Sequence, residues 1–308
     1  MSKEIDFTVI TPVYNGAEYI RETVESVLNF ADTFNFEYLV VNDGSSDSTK
    51  VILQEFKHRI QIIDQKNSGE SAAVNRGIKE ASGKYILVVS ADDPLISSQL
   101  FSKALDILGR EPELAGVYPD WQIIDSQGNF VKKVVVSEFD LDLLIGLNKT
   151  LPGPGTVFRK DLALQVNGRS TKWKYVGDYD FWLRLSLLGN FKRIPGVLAQ
   201  WRGHENSASI KYRNLSMANE RIDVILEFLT DNPQLHLKYK KQALGNAYYL
   251  AARLAFFDAK VNGRKLLIKS FLIRSKWVES AKLHEIIYLL LLPWSRFFNP
   301  LIRLAIKQ

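Results

Sequence analysis

Two carboxylates stand side by side in the stretch YILVVSADDP, residues 85–94, directly after five apolar residues from Tyr85 to Val89. Adjacent anions repel, and neither belongs in an apolar core. Asp92 and Asp93 therefore either cap the next helix or hold something positive. Three more segments share the same character. TPVYNG, NDGSSD and DQKNSG each follow an apolar run and offer acids, amides, small residues and one tyrosine. Cysteine chemistry is excluded, because the chain has none. The four histidines, His58, His204, His236 and His284, form no His-x-x-x-His zinc pattern.

These polar segments need a scaffold, and the hydrophobic periodicity supplies one. Residues 7–11, 37–42, 60–64 and 85–89 read as buried strands. Between them, residues 18–28, about 48–56 and 68–81 have helical spacing, the first through Ile20, Val24, Val27 and Leu28. Strand alternating with helix predicts a mostly parallel sheet covered on both faces. In such sheets ligands sit beyond the carboxyl ends of the strands, which is where all four polar segments fall. No Gly-x-Gly-x-x-Gly or Walker lysine loop follows the first strand, so dinucleotide and P-loop sites are unsupported. After Pro94 a helix is expected over 97–108, short β pieces at 116–118, 122–124 and 130–136, a helix over 179–188 and a strand at 197–201. From about residue 206 the pattern is helical.

The 308 residues, 46% apolar and 24% charged, suit a globular protein with a large core and an appendage. The opening MSKEIDF has no apolar core, so no signal peptide is expected, and the absence of cysteine fits a reducing cytosol. The net charge of +6 is unevenly placed. Residues 260–308 carry ten Lys and Arg against two acids, a net of +8, which leaves −2 for the rest.

Three segments in order, TVITPVYNGAEYIRETVESVL, YLVVNDGSSDST and NSGESAAVNRGIKEASGKYILVVSADD, resemble the family 2 glycosyltransferases, and the resemblance extends over roughly residues 5–210. It implies the GT-A fold, an α/β architecture that is Rossmann-like with a mostly parallel central sheet, here with a C-terminal helical extension. The domains expected are residues 1–205 for catalysis and 206–308 for the extension. It further implies inverting transfer of a sugar from a nucleotide-diphosphate donor, UDP-sugar foremost, to a glycan or lipid-linked acceptor, as in cell-surface polysaccharide synthesis.

By the same resemblance, Thr11, Pro12 and Tyr14 line the base pocket, Asp43 accepts a hydrogen bond from the base, and Asn67 and Gly69 bound the cleft. Asp92 contacts ribose or metal-bound water, and Asp93 ligates Mg²⁺ or Mn²⁺, which take oxygen ligands and neutralise a departing diphosphate. Asp178 is the base, with Asp180 as fallback. His204 completes the metal shell and Arg202 supports the phosphates. Each role has a plainer alternative: an Asx turn for Asp43, helix caps for Asp47, Asp92, Asp93 and Asp178, and a loop hydrogen bond for His204. Two departures from the family pattern, Ser90 in place of an acid and Gly177 in place of a glutamate, motivate the alternative of a non-catalytic module that binds nucleotide sugars or glycans.

The basic end closes the reading. Ile286–Leu292 is too short to span a bilayer. Trp294, Phe297, Phe298, Leu301, Ile302 and Ile306 interleave with Arg296, Arg303 and Lys307. That composition fits an interfacial helix at the inner face of a membrane, and it equally fits an appendage packed on the catalytic domain or on a second subunit of a homo-oligomer. No nucleic-acid motif accompanies the charge. The expected location is the cytoplasm, with or without peripheral membrane contact.

Overall fold

The computed structural model describes residues 5–31, 33–207, 214–258 and 260–273. Two compact units emerge, Met1–Leu144 with Thr150–Lys211, and Ile145–Lys149 with Tyr212–Gln308. The first is built on a mixed sheet. Strands β1 (Phe7–Val13), β2 (Phe36–Asn42), β3 (Gln61–Asp64) and β4 (Tyr85–Val88) run parallel in the order β3-β2-β1-β4. Helices α1 (Ile20–Leu28), α2 (Thr49–Glu55) and α3 (Glu70–Glu80) make the crossovers between them. The apolar stripe expected in α1 is realised: Ile20, Val24 and Val27 are fully buried.

Beyond α4 (Gln99–Arg110) the sheet continues through β5 (Leu114–Ile124), β6 (Phe130–Val134), β7 (Val157–Arg159) and β8 (Asn190–Arg202). β7 joins β4 to β5 with antiparallel pairing, β6 shares the same edge of β5, and β8 runs parallel along its other edge. The sequence suggested two β pieces where β5 is one strand, because Pro119 interrupts the run. The register with β8 shifts at Pro119/Asp120 and absorbs it. β8 is also longer than the five residues expected, since its first half pairs with β5 rather than lying in a loop. Buried Asp120 pins this irregular region. It accepts from the Arg193 guanidinium at 2.7 Å and from the backbone N–H groups of Val136 and Gly196. Helices α5 (Lys160–Gln165) and α6 (Gly177–Leu185) lie between β7 and β8. α5 went unread, because six residues hold too few turns to show a period.

In the second unit α7 (Leu215–Asp231) is opened by Asn214, whose Oδ1 accepts from Met217 N–H at 3.0 Å. Pro233 stands first in α8 (Pro233–Asp258), where its missing N–H costs nothing. Ala243, Ala247, Ala251 and Ala255 recur every four residues along α8 with no exposure, so neighbours approach closely on that face. α9 (Lys260–Ile273) completes the described part. The segment Ile145–Lys149 belongs here because Asn246 donates to the Gly146 carbonyl and Asn148 to the Ala243 carbonyl. Among the described residues no helix is long and apolar enough to cross a membrane. The basic segment from Ile286 to Ile306 lies outside them.

Arg159, at the end of β7, anchors the centre of the first unit. It is buried and donates to the carbonyls of Leu108 in the last turn of α4, of Glu111 just beyond it and of Leu114 at the start of β5. Arg159→Met keeps the bulk but removes the side-chain donor from three carbonyls, of which that of Glu111 keeps the Leu114 N–H. It is expected to cost about 2–3 kcal/mol of unfolding free energy in urea titrations, whereas a change below about 0.5 kcal/mol would show that water replaces the guanidinium.

Candidate active site

Four strand ends converge on one edge of the sheet. β1 delivers Tyr14, which is 53% exposed, after a buried Pro12. The next residue, Asn15, binds the second loop. Its Oδ1 accepts from Ser46 N–H at 2.8 Å, and its own N–H donates to Ser45 Oγ at 2.9 Å. Asp47 joins the same two loops through Ala17 N–H and Thr49 N–H. Burial raises its pKa, but these hydrogen bonds outweigh that and hold the carboxyl below the ordinary value. Thr11 departs from its expected role. Its side chain is fully buried and its hydroxyl pairs with the Tyr38 phenol at 3.0 Å, so it backs the pocket from within the sheet rather than lining it.

Asp43 follows β2 and is only 3% exposed. It receives Gln65 Nε2 and Ser68 N–H on Oδ1 and Gly69 N–H on Oδ2, each at 2.8 Å. A carboxylate has about four acceptor directions, so one is left. The turn is braced by the preceding residue, with Asn42 Oδ1 accepting from Ser45 N–H at 3.1 Å. Asn67 and Gly69 are exposed beside Asp43. Gly44 is required here. Its φ is +75°, and a Cβ would stand 2.7 Å from Asn67 N.

The paired acids after β4 cap nothing. The first N–H of α4, on Gln99, is met by Ser97 Oγ at 3.3 Å. Asp93 Oδ1 instead accepts from the backbone N–H of Arg202 at 2.7 Å, across 109 residues of chain. Asp92 Oδ2 lies 2.8 Å from His204 Nε2. Ser207 shapes the loop that presents this imidazole, its Oγ accepting from His204 N–H and donating to the Arg202 carbonyl.

Arg202 requires a correction. Its side chain is 2% exposed and does not face the cleft. Nε donates to the Asp92 carbonyl, one terminal nitrogen to Glu22 at 2.6 Å, and the other to the carbonyls of Asp125 and Ser126. The guanidinium also lies over the Tyr19 ring, whose other close neighbour is the His204 ring at 4.8 Å. A side chain so engaged positions the acidic pair from behind and is not available to phosphate oxygens. Sequence reasoning missed its partner Glu22, which looked like one more exposed residue of an amphipathic helix.

Burial, and next the charge of Asp92, push the Asp93 carboxyl well above its ordinary value, although Arg202 N–H opposes this. Carboxylate and imidazole are ligand types that a divalent cation takes, and positive charge beside the pair would offset the part of the Asp93 shift that comes from Asp92. No three acidic or histidine side chains converge into a metal cage among the described residues, so further ligands must come from substrate or water.

Asp178 and Asp180 lie in the first turn of α6 with opposite fates. Asp178 is exposed and its Oδ1 accepts from Tyr179 N–H at 2.7 Å. Asp180 is buried and bound by Arg184, which also holds the Val166 and Gly168 carbonyls. The fallback base is therefore a structural ion pair. Asn75 ties the same region to α3, exchanging two 2.7 Å hydrogen bonds with the backbone of Arg169.

Residues 8–148 match the family model described as Glycosyl transferase family 2. An uncharacterised glycosyltransferase of Rickettsia typhi is 28% identical over 278 residues, which covers 83% of this chain and 86% of the relative. The stretch 8–148 belongs to the family 2 glycosyltransferases. Solved structures agree on the fold. The UDP-GlcNAc complex of S. aureus TarS 1–349 superposes with a TM-score of 0.60 at 17% identity, covering 91% of this chain and 93% of the other. A mannosyltransferase from Pyrobaculum calidifontis, in complex with GDP-Man and Mn²⁺, gives 0.58 at 16% identity, covering 97% and 89%. The fold of this glycosyltransferase is thus GT-A.

Asp93→Asn in this glycosyltransferase tests the electrostatic account. A carboxyl whose folded-state pKa is raised destabilises the fold once pH exceeds its unfolded value of 3.8, and increasingly so as pH climbs through the raised value. The variant is expected to melt at higher temperature than the parent at pH 7, with the difference vanishing at pH 3.5 and below. Equal melting temperatures at pH 7 would refute the strain assigned to this carboxyl.

Proposed function

We propose that the protein transfers a sugar from a nucleotide-diphosphate donor, UDP-sugar foremost, to an acceptor hydroxyl with inversion at the anomeric carbon. The observation that carries this reading is the division of labour among the acids. Asp92 and Asp93 are gathered with His204 at one end of the sheet, while Asp178 alone of the α6 acids is exposed. The names of structural neighbours support the donor class, since they record UDP-GlcNAc and GDP-Man complexes.

In this reading Tyr14 packs against the base, and the remaining acceptor direction of Asp43 takes a base N–H. Asn67 and Gly69 bound the pocket, and Asp92 faces the ribose. Asp93 and His204 would hold Mg²⁺ or Mn²⁺. A bound cation supplies positive charge against the departing diphosphate. Asp178 accepts the proton of the acceptor hydroxyl as its oxygen bonds to the anomeric carbon and the bond from that carbon to the β-phosphate oxygen breaks. The proton ends on Asp178 and the electron pair on the nucleoside diphosphate. Direct displacement puts attacking and leaving oxygens on opposite sides of the carbon, so the configuration inverts. A glycan or a lipid-linked saccharide would supply the hydroxyl.

Asp178→Asn is expected to bind UDP-sugar with Mn²⁺ as tightly as the parent in calorimetry, while turnover falls by about 10²- to 10⁴-fold. Parental turnover would remove Asp178 as the base. Retention of anomeric configuration in the product, read by NMR, would overturn the displacement mechanism itself.

A further inference from the structure

The family's glutamate is replaced by Gly177, and the structure shows what stands in its space. A Cβ built on Gly177 would lie 2.6 Å from Ser71 Oγ, closer than any real side chain approaches. Ser71 sits in the first turn of α3, two residues beyond Gly69, whose N–H is bound to Asp43. Gly177 immediately precedes Asp178. The hydroxyl of Ser71 is half-buried and has no hydrogen-bond partner among the described residues. A half-buried hydroxyl with no protein partner is left to bond water or a ligand.

Accepting the displacement mechanism above, the transferred sugar must span the gap between the nucleotide and the base. Ser71 stands between the two, because Asp43 holds Gly69 just before α3 and the Ser71 hydroxyl abuts Gly177 beside Asp178. We infer that Ser71 is a sugar-binding residue: its hydroxyl bonds to a hydroxyl or amide group of the transferred sugar, and Gly177 is bare so that this hydroxyl can stand there. A serine hydroxyl both donates and accepts, so it can serve either kind of group. A side chain at 177 would turn Ser71 Oγ away by rotation about χ1, with no need to move the backbone.

The test is a comparison of ligands on the intact protein in the presence of Mn²⁺. Calorimetry with UDP alone and with UDP-GlcNAc, UDP-glucose and GDP-mannose establishes which donor binds the parent. Ser71→Ala is expected to weaken that nucleotide sugar about 3- to 10-fold and to leave the matching nucleotide diphosphate unchanged. Gly177→Ala is expected to do the same, and the double variant should be no worse than either single one, because both remove one interaction. An unchanged ratio of sugar-nucleotide to nucleotide affinity in Ser71→Ala would overturn this role while leaving the proposed reaction intact. So would independent, additive losses in the double variant. Failure of every nucleotide sugar to bind the parent would overturn the donor class, and this inference with it.

Discussion

Two like charges held at adjacent positions, one of them buried, are the constraint around which the catalytic unit is organised. Asp93 is excluded from water and repelled by Asp92, yet it is kept in place by a backbone N–H from the end of β8. Such a carboxyl is costly unless something positive is present. The protein supplies a partial counterweight in Arg202, which lies behind the pair and is itself balanced by Glu22. The arginine thus shapes the acidic edge from behind.

The same construction recurs at Asp43. There a buried carboxylate is satisfied by three donors from the loop before α3, and it fixes that loop against β2. Both acids organise loops. Turning helix N–H groups and loop amides toward a carboxylate makes the surrounding backbone rigid before any substrate arrives, and preorganisation of this kind lowers the cost of binding. α3 then links this order to the N-terminus of α6, through Ser71 facing Gly177, and to the segment before it, through the Asn75 bonds to Arg169.

Much of this was legible in the sequence. Apolar runs located β1 to β4 and 3.6-residue spacing α1 to α3, and the polar segments after the strands marked the candidate functional edge, because ligands sit beyond the carboxyl ends of parallel strands. Irregular pairing was less visible. β5 and β8 carry Pro119 and Gly196, which look like breaks until a partner strand absorbs them. The short insertion Ile145–Lys149 gave no signal of belonging with α7 to α9, since side chains of distant helices hold it there.

The sequence by itself determined the fold class, the catalytic family and the identity of the acids, because those follow from local periodicity and from motifs a few residues long. Tertiary structure decided which polar groups face the cleft. Thr11, Asp180 and Arg202 have the chemistry of site residues, but their partners, Tyr38, Arg184 and Glu22 with Asp92, turn them into structure. Among the described residues Ser71 has no such partner. Whether a polar side chain is engaged or free depends on contacts between residues up to 180 positions apart. Linear spacing carries no trace of contacts at that range, and only the folded chain brings them together.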